Sequence, residues 1–295
     1  MDIKIKKDIL DKFNRHSNIS KFGSWTKNIN DLKQKYLNAK PFEHIIINDF
    51  LDEAYINSIY DEFPQNYDSD EWHKYYNPIE IKYANDKIDN FKENIKDLFY
   101  ILCTDEIIKL FSEISDIKNL EYDSYLHGAG LHAHPRNGRL NMHLDYEKHP
   151  YMDKERRLNI ILYLSKDWKE EWNGHTELWD KNMTECVKKS PVIFNTAIIF
   201  KTNDISFHGV PEKIKCPINM YRKSFAFYYV SDIVTEKNQN VLGNDGTGYR
   251  TKATFVKRPN DIDYPQLKKL YEIRPLRRIE KKDMENIWPE WDETL

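Results

Sequence analysis

The spacing of apolar residues along the chain changes near residue 119. Upstream of this point, apolar side chains recur every three or four positions, which is typical of helices that pack on one face. One predicted helix follows a strand within residues 41–51 and stops at Pro64, and a second helical tract spans residues 87–116. Residues 1–40 are weakly patterned, and we expect either helical turns that lie against the domain or a partly mobile segment.

Downstream of residue 119 the apolar residues form short runs of strand length, rich in β-branched and aromatic side chains. These runs are RLNMHLDY, RLNIILYLS, HTELWD, PVIFNTAIIF and RKSFAFYYVS. Helices followed by many short strands predict a β-sandwich or barrel with flanking helices. We therefore expect a helical extension over 1–40, a β-rich domain with supporting helices over 41–235, and a loop-plus-helix extension over 236–295.

Composition narrows the class of protein further. The 295 residues carry a formal net charge of −3, which gives no general attraction to nucleic acid or to an anionic membrane. The three cysteines are widely spaced and include no CxxC pair, which favours a reducing compartment. We expect a cytoplasmic protein that binds neither nucleic acid nor membrane, and the sequence does not predict its oligomeric state.

A candidate metal site begins with His143 and Asp145. Side chains two positions apart on a strand point to the same face, so these two would project together. Alone, an HxD pattern is weak evidence in a chain with ten histidines. His208 follows another buried apolar run and precedes Gly209. Two imidazoles and one carboxylate are the protein ligands of a mononuclear iron site with open coordination positions.

The last apolar run supplies a candidate anion site. By strand alternation Arg222, Ser224, Ala226 and Tyr228 share one face. A guanidinium binds a carboxylate through two hydrogen bonds, Ser224 adds a third, and Ala226 leaves room. The pattern predicts a cradle for a dicarboxylate. Lys223 lies on the opposite face and is the less favoured anchor.

Residues 41–231 resemble the iron(II)- and 2-oxoglutarate-dependent dioxygenases, specifically their prolyl-4-hydroxylase-like branch. The motifs that carry the resemblance are GAGLHAHPRNGRLNMHLDYEKHP, ERRLNIILYLSKDW, WNGHTELWD, IIFKTNDISFHGVP and RKSFAFYYVSD. Two positions depart from the branch: GAGLH has fewer glycines than is usual there, and His175 replaces a second glycine. Neither departure involves a proposed ligand.

The resemblance implies a mainly β fold, a double-stranded β-helix of the jelly-roll or cupin type with two antiparallel sheets. It implies His143, Asp145 and His208 as catalytic iron ligands, and Fe²⁺, 2-oxoglutarate and O₂ as cofactor and co-substrates, with ascorbate as a further candidate. Arg222 would bind the distal carboxylate of 2-oxoglutarate.

Other co-substrate contacts follow from the same resemblance. Ser224 and Tyr163 would assist Arg222, and Asn159, on the same strand face as Tyr163, is a further co-substrate contact. Among related enzymes those that halogenate lack the carboxylate ligand, so Asp145 favours hydroxylation.

Several polar residues near these motifs have two readings. His132 and His134 alternate toward one face, and we expect at least one of them to face the active site. We expect His149 and His175 to be solvated or structural. Arg139 and Arg156 could contact an anionic substrate, but exposed arginine is the favoured reading. The segment GNDGTG at 243–248 lacks the Lys-Ser/Thr of a phosphate loop, so we predict a flexible loop.

The functional prediction is an oxygenase that hydroxylates an unactivated C–H bond, with peptidyl proline as the first target. A free amino acid, a small metabolite or a sugar is the alternative target. Two other classes remain open: a non-catalytic β-sandwich binding module, and a Zn²⁺ hydrolase that would need no arginine-lined cradle.

Overall fold

The computed structural model describes residues 2–234 and 248–293. Residues 235–247, which include most of the predicted GNDGTG loop, lie outside the described residues. In the described part of the chain, no helix is long and apolar enough to cross a membrane. Cys103, Cys186 and Cys216 are all free thiols.

Five α-helices precede the main β region: α1 Lys7–Phe13, α2 Ile29–Asn38, α3 Glu53–Glu62, α4 Glu93–Leu102 and α5 Asp105–Ser115. Helix α3 begins where the Asp52 side chain accepts hydrogen bonds from the backbone N–H groups of Ala54 and Tyr55. Its apolar face is buried, and the helix ends before Phe63 and Pro64, as the spacing predicts.

The strands are β1 His44–Ile47, β2 His73–Asn77, β3 Glu80–Asn85, β4 Glu121–Tyr122, β5 Gly130–His134, β6 Arg139–Leu144, β7 Glu155–Tyr163, β8 Thr176–Trp179, β9 Cys186–Ser190, β10 Ala197–Lys201, β11 His208–Val210, β12 Arg222–Ser231 and β13 Thr254–Phe255. Two further helices, α6 Pro265–Ile273 and α7 Lys281–Ile287, follow β13.

All the strand pairs are antiparallel, in the order β1-β10-β7-β12-β5 on one side and β6-β11-β8-β9 on the other. Strand β3 pairs with both β5 and β6 and so joins the two sides. The result is a nearly closed, barrel-like jelly roll with flanking helices. The predicted double-stranded β-helix is confirmed.

Strand β12 shows how the sequence pattern divides the core from the cavity. Phe225, Phe227 and Tyr229 point toward the helices, where the Phe225 ring centroid lies 4.4 Å from that of Phe99. The alternate residues, from Arg222 to Tyr228, line the interior cavity. Helix packing therefore fixes the orientation of the polar face inside the barrel.

Two predicted elements are shorter than their apolar runs suggest. The tract 87–116 breaks after α4 because Thr104 has an extended backbone (ψ 148°), and its hydroxyl donates to the Ile101 carbonyl at 2.7 Å. In PVIFNTAIIF only residues from Ala197 form the strand. Asn195 has a left-handed backbone (φ 58°), and its side-chain amide bonds both backbone polar groups of Leu51, which makes a turn.

The described part of the C-terminal extension contains more than the predicted loop and helix. Strand β13 pairs with β6, the strand that carries His143. Helices α6 and α7 form a small apolar cluster around Leu270, Met284 and Trp288. The domain boundaries at residues 40 and 235 remain predictions.

Candidate metal and co-substrate site

The structure places His143, Asp145 and His208 together at the interior of the barrel. His143 lies near the end of β6, Asp145 follows that strand, and His208 begins the neighbouring strand β11, directly opposite His143 in register. One ligand atom from each residue lies within 4.8 Å of the others. Strand pairing thus joins residues that are far apart in the sequence into one cluster.

Hydrogen bonds orient both imidazoles toward the carboxylate. Nδ1 of His143 donates to the Asn141 carbonyl, and Nδ1 of His208 donates to the Ser206 carbonyl, each at 2.9 Å. This leaves each Nε2 lone pair facing Asp145, at 3.7 Å from His143 and 3.6 Å from His208. In metal sites, a hydrogen bond donated by the ring nitrogen that does not bind the metal holds the imidazole in the correct tautomer.

The protonation states also suit a divalent cation. Burial lowers the pKa of His143 to about 3 and lowers that of His208, so both rings are neutral near pH 7. Burial opposes ionisation of Asp145, but the Arg156 guanidinium holds the pKa of that carboxyl below its usual range. Two neutral imidazoles and one carboxylate form the donor set of non-haem iron sites. The residues therefore fit an iron ion.

Arg156 is part of this site, so the expectation that it is exposed was wrong. It is 2% exposed, its Nη1 lies 3.2 Å from Asp145, and its guanidinium lies between the rings of Tyr146 and Tyr228. An irregularity in the β7–β12 register leaves Arg157 unpaired. This bulge rotates Arg156 onto the cavity face, which simple strand alternation does not predict.

Arg222 is buried in the cavity that contains the metal cluster, without an acidic partner in the described part of the chain. Its Nε donates to the Gly174 carbonyl at 2.6 Å and its Nη2 donates to the Thr176 hydroxyl at 3.1 Å. In residues 2–234 and 248–293, no carboxylate pairs with it. An uncompensated buried guanidinium is costly unless an anion binds it. Lys223 points away and donates to Gln65, as alternation predicts.

The other predicted co-substrate residues occupy different positions in the cavity. Ser224 lines the cavity next to Arg222. Tyr163 lies beneath the Arg222 guanidinium, 5.0 Å from ring centroid to guanidinium carbon, and its hydroxyl donates to Thr176. Asn159 lies beside Asp145 instead, with its Nδ2 3.3 Å from the carboxylate. Their roles as co-substrate contacts remain predictions.

The cavity that contains the cluster has a volume of about 380 Å³. His132 and His134 both line it, and in the described part of the chain neither ring nitrogen of His134 has a hydrogen-bond partner. The hairpin β2–β3 and residues from 251 onward complete its wall. This hairpin was not predicted, although the alternation of polar and apolar residues in EIKYAN, from Glu80, is typical of a strand.

Three further residues named in the sequence analysis lie outside the metal cluster. His149 is buried against Asp123, with its Nε2 3.1 Å from the carboxylate. This position agrees with the structural role that was one of the two expected for it. Arg139 is 8% exposed and lies over the Trp291 ring, which corrects its reading as an exposed arginine. His175 is half-buried in the turn that precedes β8.

Comparison with known proteins agrees with this geometry. Residues 129–230 match the model of the 2OG-Fe(II) oxygenase superfamily. This segment contains all three residues of the cluster and Arg222. No curated protein matches the chain in sequence.

Solved structures share the fold at low sequence identity. One is a prolyl hydroxylase from Trichoplax adhaerens, solved in complex with a hypoxia inducible factor oxygen degradation domain peptide fragment. Its sequence is 16% identical and its TM-score is 0.52, and the match covers 77% of this chain and 94% of the T. adhaerens chain. A Pseudomonas putida prolyl-4-hydroxylase is 13% identical with a TM-score of 0.51, covering 70% of this chain and 99% of its own.

The match over residues 129–230 and the His-Asp-His cluster support a non-haem dioxygenase. Members of the 2OG-Fe(II) oxygenase superfamily use Fe²⁺, 2-oxoglutarate and O₂.

Proposed function

We propose that this dioxygenase is a prolyl-hydroxylase-like enzyme in which His143, Asp145 and His208 hold the iron and Arg222 holds 2-oxoglutarate. The observation that carries this assignment is the buried, acid-free guanidinium of Arg222 in the same cavity as the cluster. A metal cluster alone suits many reactions, but a buried cation beside it calls for an anionic co-substrate.

The chain's own residues position and protect the reactants. The backbone carbonyls of Asn141 and Ser206 fix the two imidazoles, and Arg156 keeps Asp145 ionised. Gly174 and Thr176 occupy two of the Arg222 donors, so the remaining N–H groups are free to bind one carboxylate through two hydrogen bonds. Holding reactants in fixed orientation lowers the entropic part of the barrier.

When bound, iron supplies the chemistry: it couples oxidation of 2-oxoglutarate by O₂, with release of succinate and CO₂, to hydroxylation of a C–H bond. The retained carboxylate at Asp145 favours hydroxylation. A Zn²⁺ hydrolase has no use for the Arg222 cradle, and a non-catalytic module has no use for the oriented imidazoles.

Two features support peptidyl proline as the first target to test. The P. putida enzyme of the same fold is described as a prolyl-4-hydroxylase, and the T. adhaerens enzyme was solved with a peptide fragment. A free amino acid, a metabolite or a sugar remains the alternative, because a cavity of about 380 Å³ accommodates a small molecule as well as one peptide residue.

The experiment is a screen of O₂-dependent 2-oxoglutarate consumption with Fe²⁺, using proline-containing peptides, free proline and candidate metabolites. We expect succinate to form in proportion to a product that has gained one oxygen atom. Failure to consume 2-oxoglutarate under any condition would contradict the proposal. Activity that continues without O₂ would instead favour a hydrolase.

A further inference from the structure

The cavity has a second wall that carries positive charges. It comes from other parts of the chain than the strand that holds Arg222. Glu80, Lys82 and Asp86 point into the cavity from β3 and its end, because alternate residues share a face. Arg274 and Arg278, which follow α6, line the same cavity. This wall is made from the hairpin and the C-terminal extension, outside the matched family segment.

The carboxylates along this cavity already have partners. Glu80 accepts a hydrogen bond from Nε of Arg274 at 2.7 Å. Asp86 lies 2.6 Å from Nζ of Lys4 and 3.4 Å from Nε2 of His73. Asp145 belongs to the metal cluster. Each of these acids thus already has a cationic partner or belongs to the cluster, although Oε2 of Glu80 has no hydrogen-bond partner among the described residues.

Lys82 is the cation that remains. Among residues 2–234 and 248–293 no carboxylate forms an ion pair with it, and its Nζ lies 5.1 Å from the centroid of the Tyr75 ring. The residue is half-buried. Burial lowers the pKa of Lys82. The Glu80 carboxylate opposes this shift, and the positive charges of Arg274 and Arg278 add to it. A partly buried ammonium in positive surroundings is costly unless an anion pairs with it.

Lys82 and Arg222 serve different positions in the cavity. Strand β5 lies between β3, which carries Lys82, and β12, which carries Arg222, and His132 of β5 is opposite Ala84 on one side and Ser224 on the other. Burial lowers the pKa of His132 to about 3, and the charges of Lys82 and Arg222 on either side add to this shift. Lys82 thus lines the cavity on the side of the hairpin.

We propose that the enzyme takes a substrate with an anionic group, a carboxylate or a phosphate, and that Lys82 binds this group. The inference rests on the proposed function and specifies its substrate class. Arg278, exposed at the mouth of the cavity, adds to the attraction for an anion. An uncharged proline peptide leaves Lys82 unpaired, whereas a free acid, or an acidic residue beside the proline, gives it a partner.

The test uses the protein with Mn²⁺ in place of Fe²⁺ and with saturating 2-oxoglutarate. Inorganic phosphate is titrated in, and its ³¹P relaxation reports binding close to the paramagnetic ion. Acetate is titrated in parallel and followed by its methyl proton relaxation, so that the tighter probe distinguishes phosphate from carboxylate. We expect saturable relaxation of at least one probe. The Kd of that probe should rise about tenfold or more in Lys82→Gln, because one charge-assisted hydrogen bond is lost.

Two variants serve as controls. Lys82→Arg keeps the positive charge and should retain most of the binding, and Lys74→Gln removes an exposed lysine of the same hairpin and should change nothing. Absence of saturable relaxation, equal binding in Lys82→Gln, or loss of binding when 2-oxoglutarate is added would each overturn the inference.

Failure of the proposed function has a separate signature. It would appear as no Mn²⁺ binding, measured by water proton relaxation and compared with Asp145→Ala. The inference about Lys82 would then be decided by calorimetric titration of phosphate and acetate into wild type and Lys82→Gln.

Discussion

Nη1 of Arg156 lies 3.2 Å from the Asp145 carboxylate, in a sandwich between two tyrosine rings. The guanidinium carbon is 3.6 Å from the Tyr146 ring centroid and 3.5 Å from that of Tyr228. Nη2 also donates to the His127 carbonyl at 2.8 Å. Arg156 therefore joins the metal cluster to the segment before β5 and keeps the carboxylate oriented.

Replacing Arg156 with Met should destabilise the protein and weaken metal binding together. Removing one partner of a buried ion pair costs about 3–5 kcal/mol, and losing a residue that orients a metal ligand reduces affinity about 10–100-fold. Urea denaturation and Mn²⁺ titration measure the two effects. Arg157→Met is the matched control, since Arg157 lies 4.0 Å from Glu155 and outside the cluster. Equal effects of the two variants would refute the role of Arg156.

Arg222→Ala should raise the KM for 2-oxoglutarate by about 100-fold or more. Two charge-assisted hydrogen bonds are lost, each worth about 1.5–3 kcal/mol, and about 1.4 kcal/mol corresponds to a factor of ten. Lys223→Ala should leave this KM unchanged, because Lys223 bonds Gln65 on the outer face. Steady-state kinetics with varied 2-oxoglutarate distinguish them. If Lys223→Ala has the larger effect, the assigned anchor is wrong.

Gly209→Ala should disturb the cluster through the backbone. A Cβ at this position would lie 2.8 Å from the Leu140 carbonyl oxygen and 3.0 Å from that of Asn141, so β11 would have to move away from β6. Overpacking of this kind costs about 1–3 kcal/mol. We expect a lower Tm and weaker Mn²⁺ binding, because His208 is the adjacent residue. A variant with wild-type Tm and affinity would show that the two strands have room to separate.

Asp86 should stabilise the fold in a pH-dependent way. Burial opposes its ionisation, but hydrogen bonds from His73 and Lys4 hold the pKa of Asp86 below its usual value. A depressed carboxyl pKa contributes stability above the unfolded-state value, about 3.9. That contribution disappears as pH falls through the folded-state pKa. Asp86→Asn should therefore lower the unfolding free energy by about 1–2 kcal/mol at pH 7, and by less at pH 3.

Asp86 can be tested by chemical denaturation of both proteins across this pH range. Asp61→Asn, at an exposed helical position, is the control and should show no such trend. A difference between Asp86→Asn and wild type that grows on acidification would contradict the assigned ion pairs.

Sequence reasoning located the residues that lie on regular strands. His143, Arg222 and Ser224 line the cavity as strand alternation predicts, and in β12 the alternate apolar residues pack toward the helices. The same patterns predicted a β-sandwich or barrel with flanking helices, and the family resemblance specified the double-stranded β-helix, which is confirmed.

The parts of the site that sequence reasoning missed depend on irregular or distant structure. Arg156 faces the cavity because of a bulge, and a bulge has no strong sequence signal. Lys82 lies in a hairpin whose alternation is largely polar, and its role depends on Arg274 and Arg278, about 190 residues further along the chain. Only tertiary packing brings these residues to one cavity.

The most direct test of the central claim is an anaerobic titration of the protein with Fe²⁺ and 2-oxoglutarate, followed by visible absorption. We expect a metal-to-ligand charge-transfer band that saturates at one iron and one 2-oxoglutarate per chain. The band should be absent in Asp145→Ala and should require much higher 2-oxoglutarate in Arg222→Ala. A wild-type protein that binds no iron, or gives no band at saturating 2-oxoglutarate, would contradict the assignment of this site.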